Sequence, residues 1–330
     1  RKADLLGLAQ MPLIDPAAPP FERLRWPSRS FLNIARGRCP EPCAYCVANN
    51  PAINPRAYRT MAIDRIVEQL HVYQDRGVRG VFLGENHFLD MAFMTALIER
   101  LLQEELALFV ELETHPAFFA SEALLPKMIE AGFRRFTVGA ESGSDSLLNR
   151  LGRRVTCAQL FERVKRVAEA GGIVVTSWIC NLPGETEADV RQTKRLIEDV
   201  VQAGGFVYWI ENLHVLPGSR LYRNPAQWGI ELLLKSPEDW IRWGQVSKAY
   251  VAPAEALADP LRFLTHVNHG TPPEEMMRRF FDLRRQARDL VPDMQQNLAA
   301  RASRLPSALR RAEEERLEWF ETRGWQLLLF

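Results

Sequence analysis

The stretch Arg36-Gly37-Arg38-Cys39-Pro40-Glu41-Pro42-Cys43-Ala44-Tyr45-Cys46 decides how the rest of this chain is read. Three thiols stand within eight residues, directly after a strand-like run, Ser30–Ala35. Pro40 and Pro42 lack N–H donors and have a fixed φ, so the segment between the first two cysteines cannot settle into a helix. It reads as a loop that wraps around something, with Cys39, Cys43 and Cys46 turned inward. Close thiolates make a soft donor set, suited to zinc or to an iron–sulfur cluster. Arg36 and Arg38 would offset the negative charge of such a site. No fourth ligand stands nearby. Structural zinc takes four protein ligands, whereas a 4Fe-4S cube held by three cysteines keeps one iron open. A zinc knuckle completed by a distant histidine is the bland alternative.

The 330 residues leave room for a large domain and a smaller one. Hydrophobic residues at 47% and charged residues at 25% are ordinary for a globular protein. The formal charge of +1 provides no overall field for nucleic acid or a membrane surface. No apolar run approaches the ~18–20 residues needed to span a bilayer, and no secretory pattern opens the chain. Five cysteines, three in one loop, do not make a disulfide framework. Cys157 and Cys180 read as packing residues, and a reducing cytoplasm is the expected home.

A proline-rich lead-in covers residues 1–29. The chain does not open on methionine, which leaves room for an upstream segment. From Ser30 a short β-branched or aromatic run followed by an amphipathic stretch recurs six times. The strands are expected at Ser30–Ala35, Val78–Leu83, Leu108–Thr114, Arg135–Ala140, Ile173–Cys180 and Phe206–Val215. Ser121 and Thr156 are expected helix caps, and Thr186 with Asp189 reads as a capping box. Six βα units favour a parallel sheet with right-handed crossovers. Spacing alone does not separate an open barrel from a doubly wound sheet. Beyond Pro217-Gly218, Glu238–Tyr250, Leu261–Val267, Glu274–Leu290 and Leu309–Thr322 read as helices. The mixed-sign run Arg310–Arg316 reads as a solvated face.

C-x-x-x-C-x-x-C with Tyr45 before its last cysteine resembles the cluster loop of the radical S-adenosylmethionine (SAM) superfamily. Further motifs at the strand ends resemble its cobalamin-associated branch: Gly84-Glu85-Asn86-His87-Phe88, Gly139-Ala140-Glu141-Ser142-Gly143-Ser144, and Leu182-Pro183-Gly184-Glu185-Thr186. The resemblance spans residues 30 to about 222. It implies an α/β fold, an open (βα)6 three-quarter TIM barrel over residues 30–222, followed by a smaller helical C-terminal domain over 223–330. It implies a 4Fe-4S cluster on Cys39, Cys43 and Cys46 whose open iron chelates SAM, and it assigns SAM contacts to Tyr45, Gly84, Glu85, Asn86, Glu141, Ser142, Leu182 and Pro183. Glu185 is read as favouring a helix N-terminus.

Parallel βα sheets bind ligands at the C-terminal ends of their strands, and two further groups sit there. Glu111 and Glu113 alternate on the third strand, with Thr114 and His115 at its end. An inward acidic pair is costly unless it binds something or meets an arginine; Glu113 is the cofactor-side candidate. On the sixth strand Tyr208, Asn212 and His214 share a face if the strand is regular, and are the substrate-side catalytic candidates; Glu211 joins Tyr208 only through a bulge.

The implied chemistry is reductive cleavage of SAM to a 5′-deoxyadenosyl radical that abstracts hydrogen from a small-molecule, natural-product-like substrate, as in antibiotic biosynthesis. Cobalamin-dependent methylation is the first expectation. Cobalamin-independent dehydration, epimerisation or rearrangement of a diol or aminoglycoside-like sugar is the second, and a structural metal scaffold without chemistry is the alternative of another class. Partners would be the small-molecule substrate and a reductase, flavodoxin or ferredoxin as electron donor, with no nucleic acid and no membrane.

Overall fold

The computed structural model describes residues 29–84, 90–115, 123–247 and 253–302. The first strand, β1 (Arg29–Asn33), is followed by a two-residue ribbon of β2 (Ala35–Arg36) and β3 (Arg59–Thr60) that brackets the cysteine loop. Then come α1 (Ile63–Asp75), β4 (Gly80–Gly84), α2 (Met91–Leu101), β5 (Phe109–Thr114), α3 (Leu124–Glu130), β6 (Phe133–Glu141), α4 (Asp145–Arg150), α5 (Cys157–Glu169), β7 (Ile173–Cys180), α6 (Glu187–Gln202) and β8 (Phe206–Asn212). Strands β1, β4, β5, β6, β7 and β8 pair in that order, each neighbour parallel. The sheet does not close, because β1 and β8 are its edges. This is the open six-stranded barrel rather than a doubly wound sheet, whose strand order would reverse.

The helices form where the apolar spacing placed them. Ile66, Val67, Leu70 and Tyr73 of α1 are buried on one face, and Asp90 caps α2 through Phe93 N–H. Thr156 and Thr186 make capping boxes with Gln159 and Asp189, each worth about 1 kcal/mol. The proposed cap Ser121 lies outside the described residues.

After β8 come α7 (Arg220–Arg223), β9 (Ile230–Leu232), α8 (Pro237–Ser247), α9 (Pro253–Ala258), β10 (His266–Asn268), α10 (Pro273–Asp289) and α11 (Val291–Ala302). The expected helix Leu261–Val267 is instead a 3-10 turn, Pro260–Arg262, leading to β10, which pairs antiparallel with β9. Pro260 starts the turn, and the ladder with Ile230–Leu232 outweighs the weak helical spacing of so short a run. The sixth barrel strand stops at Asn212, short of Val215. Helices α10 and α11 share the barrel's own core through Leu283, Ala287, Met294 and Leu298. Among the described residues no helix is long and apolar enough to cross a membrane. The expected helix Leu309–Thr322 and the lead-in 1–28 lie outside the described residues.

Candidate active site

The cysteine loop is clamped from three sides. Ala44 N–H donates to Leu151 O at 2.8 Å, and Leu221 N–H donates to Ala44 O at 3.1 Å, tying it to the end of α4 and to α7. Asn49 donates to Glu41 O at 2.9 Å and Asn54 to Ala48 O at 3.0 Å, so the loop folds on itself. Gly152 has φ +80, and a Cβ there would stand 2.6 Å from Pro42 O. Only glycine allows this backbone to lie against the loop.

Cys39, Cys43 and Cys46 line one cavity of about 150 Å³, together with Glu41, Tyr45, Glu113, His115, Thr137, Gly139, Glu141, Arg153 and Ser177. Cys39 and Cys46 sulfurs accept from Glu41 N–H at 3.4 Å and Ala48 N–H at 3.3 Å, contacts that favour thiolate. Burial pushes the Cys39 thiol up to about 12 and also raises Cys43 and Cys46, with Arg153 opposing the rise at Cys43. Buried thiols of this kind become thiolates when a metal replaces the proton. Among the described residues no three His, Cys, Asp or Glu side chains converge tightly enough to hold one metal ion. A 4Fe-4S cluster takes cysteine thiolates as ligands, and three cysteines line this cavity. The donor set fits the cluster.

The cavity's cation is Arg153. Its guanidinium stands 3.9 Å from Glu141 and donates to Gly139 O. Tyr45, Glu141 and Cys43 surround it, and their interactions hold its pKa above the usual guanidinium range despite burial. Glu141 is set by an irregularity: β6 and β7 slip register between Gly139 and Glu141, and Glu141 adopts φ +67. A non-glycine residue in that region costs of order 1 kcal/mol or more and marks a functional constraint. Here it turns a carboxylate into the cavity. Burial raises the Glu141 carboxyl while Arg153 and Tyr45 lower it; burial and then Glu141 raise Glu113.

Of the residues assigned to SAM from sequence, Tyr45, Glu113 and Glu141 line this cavity. The acidic pair divides: Glu111 is buried 3.8 Å from Arg135, the arginine reading, and only Glu113 reaches the cavity. Ser142 is buried behind the wall, 3.3 Å from Thr193 Oγ1 and accepting from Ser144 N–H. Leu182 packs behind the cysteine loop with Ala44, Leu147 and Leu221, and Pro183 is buried beside it. Gly84 ends β4 against the Phe31 ring, where a Cβ would collide. Glu85 and Asn86 lie outside the described residues.

Tyr208, Asn212 and His214 do not share a face. β7 and β8 slip register at Tyr208, which bulges out and lines a small recess near the N-terminal strand ends with Arg135, Ile173 and Leu298. Asn212 is buried under α10, accepting from Asn181 Nδ2 at 2.6 Å and facing Met277. His214 meets Glu211 at 3.6 Å and the edge of Trp243. Burial holds the His214 imidazole below its usual pKa, with Glu211 opposing. Glu185 is not a solvated helix-end charge: it is buried, accepts from Asn181 N–H at 2.7 Å, and burial pushes its carboxyl up to about 8. Arg36 and Arg38 are exposed outside the loop, and charge compensation inside falls to Arg153. Arg153 was missed from sequence because it follows a short helix rather than a strand; the only signal was that three thiols and two carboxylates need a buried cation.

Residues 34–197 match the profile of the radical SAM superfamily. This stretch is a radical SAM domain. A radical SAM domain implies a 4Fe-4S cluster and SAM as its cofactors. Among curated relatives, tRNA-2-methylthio-N(6)-dimethylallyladenosine synthase of Ectopseudomonas mendocina is 26% identical over 213 residues, 58% of this chain and 46% of that one. The synthase of the same name from Acidithiobacillus ferrooxidans is 30% identical over 224 residues, covering 61% and 49%. The chain therefore spans about half the length of the curated relatives it matches. Among solved structures, the radical SAM methyltransferase TsrM of Kitasatospora setae, with tryptophan and a SAM analogue bound, aligns at TM-score 0.56 and 17% identity, over 65% of this chain and 43% of that one. The cobalamin-dependent radical enzyme OxsB, with aqua-cobalamin and SAM bound, aligns at 0.55 and 12%, over 91% and 59%. At such identities the likeness is one of fold.

Proposed function

We propose that this radical SAM enzyme holds its cluster on Cys39, Cys43 and Cys46, cleaves SAM reductively and opens a C–H bond of a small-molecule substrate, with cobalamin-dependent methyl transfer as the outcome. One observation carries the reading: three thiols, two largely covered carboxylates and a largely covered arginine converge on one cavity at the C-terminal strand ends. When bound, the cluster and SAM supply one-electron cleavage of a sulfonium bond, which no side chain here can perform. The chain's own part is placement. Glu113 and Glu141 offer acceptors to a ligand ammonium group, and Arg153 offsets the charge of the thiolates. Ser177 and Thr137 line the inner wall and keep it polar. Cobalamin enters through the structural likeness to TsrM and OxsB, whose own cofactors it is in part.

A second reading, dehydration or epimerisation without cobalamin, is favoured by the Glu211–His214 pair at the end of β8, an arrangement able to exchange a proton with a substrate. The reconstituted chain is incubated anaerobically with SAM and dithionite. The proposal expects 5′-deoxyadenosine and methionine, lost on Cys43→Ala; SAM left intact by a fully loaded chain would refute it. Retention of added hydroxocobalamin by the full-length protein supports the methyl-transfer branch, and no retention supports the second reading.

A further inference from the structure

The bulge at Tyr208 does more than turn that residue outward. Beyond it, the β7–β8 register pairs Ser177 with Trp209 and Ile179 with Glu211. Neighbours in register on parallel strands share a face, and Ser177 lines the cavity of the three cysteines. Trp209 and Glu211 therefore stand on the same inner face of the barrel, with Glu211 one step nearer the rim. Glu211 is the reachable carboxylate of this wall. Its side chain is 36% exposed, against 12% for Glu141 in the cysteine cavity. Among the described residues its one ion partner is His214, at 3.6 Å. Burial keeps that imidazole below its usual pKa, so at neutral pH it brings no countercharge. Arg284 of α10 acts on Glu211 through space only, with its guanidinium laid over the Phe280 ring at 5.2 Å. The other neighbours are aromatic. Trp209 precedes Glu211 on the same face, and His214 meets Trp243 of α8 at 4.7 Å. Trp240 extends that wall, 5.6 Å from Trp243 and at 73° to it. Leu213 N–H donates to Cys180 O at 2.9 Å and Val215 N–H to Thr265 Oγ1 at 3.0 Å, which fixes the backbone on both sides of His214.

We propose that Glu211 is the specificity-determining residue of the substrate site and that the substrate is a cationic amine, its ammonium group set against the Glu211 carboxylate and the Trp209 and Trp243 rings. The inference rests on the proposed function, which puts the reacting centre in the neighbouring cavity. A molecule that covers Glu211 takes the carboxylate out of water, a cost that a group of opposite charge offsets. Indole rings beside the same spot attract a cation through their quadrupole. An anionic substrate would be repelled by Glu211, and an uncharged one would leave the carboxylate desolvated without a countercharge.

The test titrates the reconstituted full chain, with SAM present, by calorimetry with molecules of one shape and different charge. These are choline, neohexyl alcohol, in which carbon replaces the nitrogen, and the tert-butylacetate anion. Expected is choline binding about tenfold or more tighter than either analogue, weakened about tenfold by Glu211→Gln and about threefold by Trp209→Leu. No choline binding, equal affinity for choline and the alcohol, or choline binding indifferent to Glu211→Gln overturns the proposal. Tighter binding of tert-butylacetate, lost in Arg284→Met, also overturns it. Failure of the underlying reading shows elsewhere: choline bound through Glu211 by a loaded chain that leaves SAM intact on reduction upholds the amine site and refutes the radical chemistry.

Discussion

Arg153 offers the sharpest mutational test of the site. Its guanidinium stands 3.9 Å from the Glu141 carboxylate, with side chains only 10% and 12% exposed. At an effective dielectric near 20, two unit charges at that distance attract by about 4 kcal/mol. Arg153→Met removes the attraction and leaves Glu141 buried, so the cofactor-free chain should lose about 3–5 kcal/mol of stability. The loss depends on pH with a definite sign. Burial already raises the Glu141 carboxyl, so the folded state keeps a proton that the unfolded state releases, and stability falls as pH rises beyond the usual carboxylate range. Without Arg153 that fall steepens, and the variant should be worse at pH 8 than at pH 5. Glu141→Gln in the same chain should restore most of the loss, because a neutral amide needs no cation. Urea unfolding of the four species followed by circular dichroism measures the coupling. A cost below about 1 kcal/mol for Arg153→Met, additive with Glu141→Gln, would refute the electrostatic account of the cavity.

Gly152→Ala should loosen the cysteine loop, since the new Cβ meets Pro42 O at 2.6 Å; the expected result is several-fold faster iron loss to a chelator, with the helical content kept. Glu185, pushed up to about 8, contributes stability at low pH that is lost as pH climbs from the unfolded carboxylate value through 8, and Glu185→Gln should flatten that alkaline limb in thermal melts. His266, brought down to about 4 by burial, does the reverse: its contribution is full above the unfolded imidazole value and lost as pH falls through 4, a limb that His266→Asn should blunt. Glu111→Leu should cost several kcal/mol by removing the buried carboxylate 3.8 Å from Arg135, and Glu111→Leu/Arg135→Met should recover most of it, read by urea midpoint.

The alternation of β-branched runs with amphipathic stretches made the barrel legible, because each strand is buried and each helix has one apolar face. Ile173–Cys180 and the capped starts of α5 and α6 fall where local chemistry alone put them. The β9–β10 ribbon was not legible, since three-residue strands carry no period of their own and exist only through each other. Within the site, the cysteines announced themselves by spacing, and Glu113 and Glu141 by their places at strand ends. Tyr208 does not share a face with Asn212 and His214 because it is a bulged residue, and the bulge reverses every later side chain. Asn212 and Leu182 looked available for ligands but serve packing: Asn212 belongs to a buried amide network with Asn181, which takes φ +64 and is braced by Asn268 and His266.

The central claim is tested most directly by reconstituting the chain anaerobically with iron and sulfide and recording the spectrum of the reduced cluster with and without SAM. The account predicts one 4Fe-4S cluster per chain, lost on replacing any of Cys39, Cys43 or Cys46 by alanine, and a signal that shifts when SAM binds the open iron. A colourless zinc protein, or a cluster whose signal is indifferent to SAM because a fourth side chain fills its last corner, would contradict it.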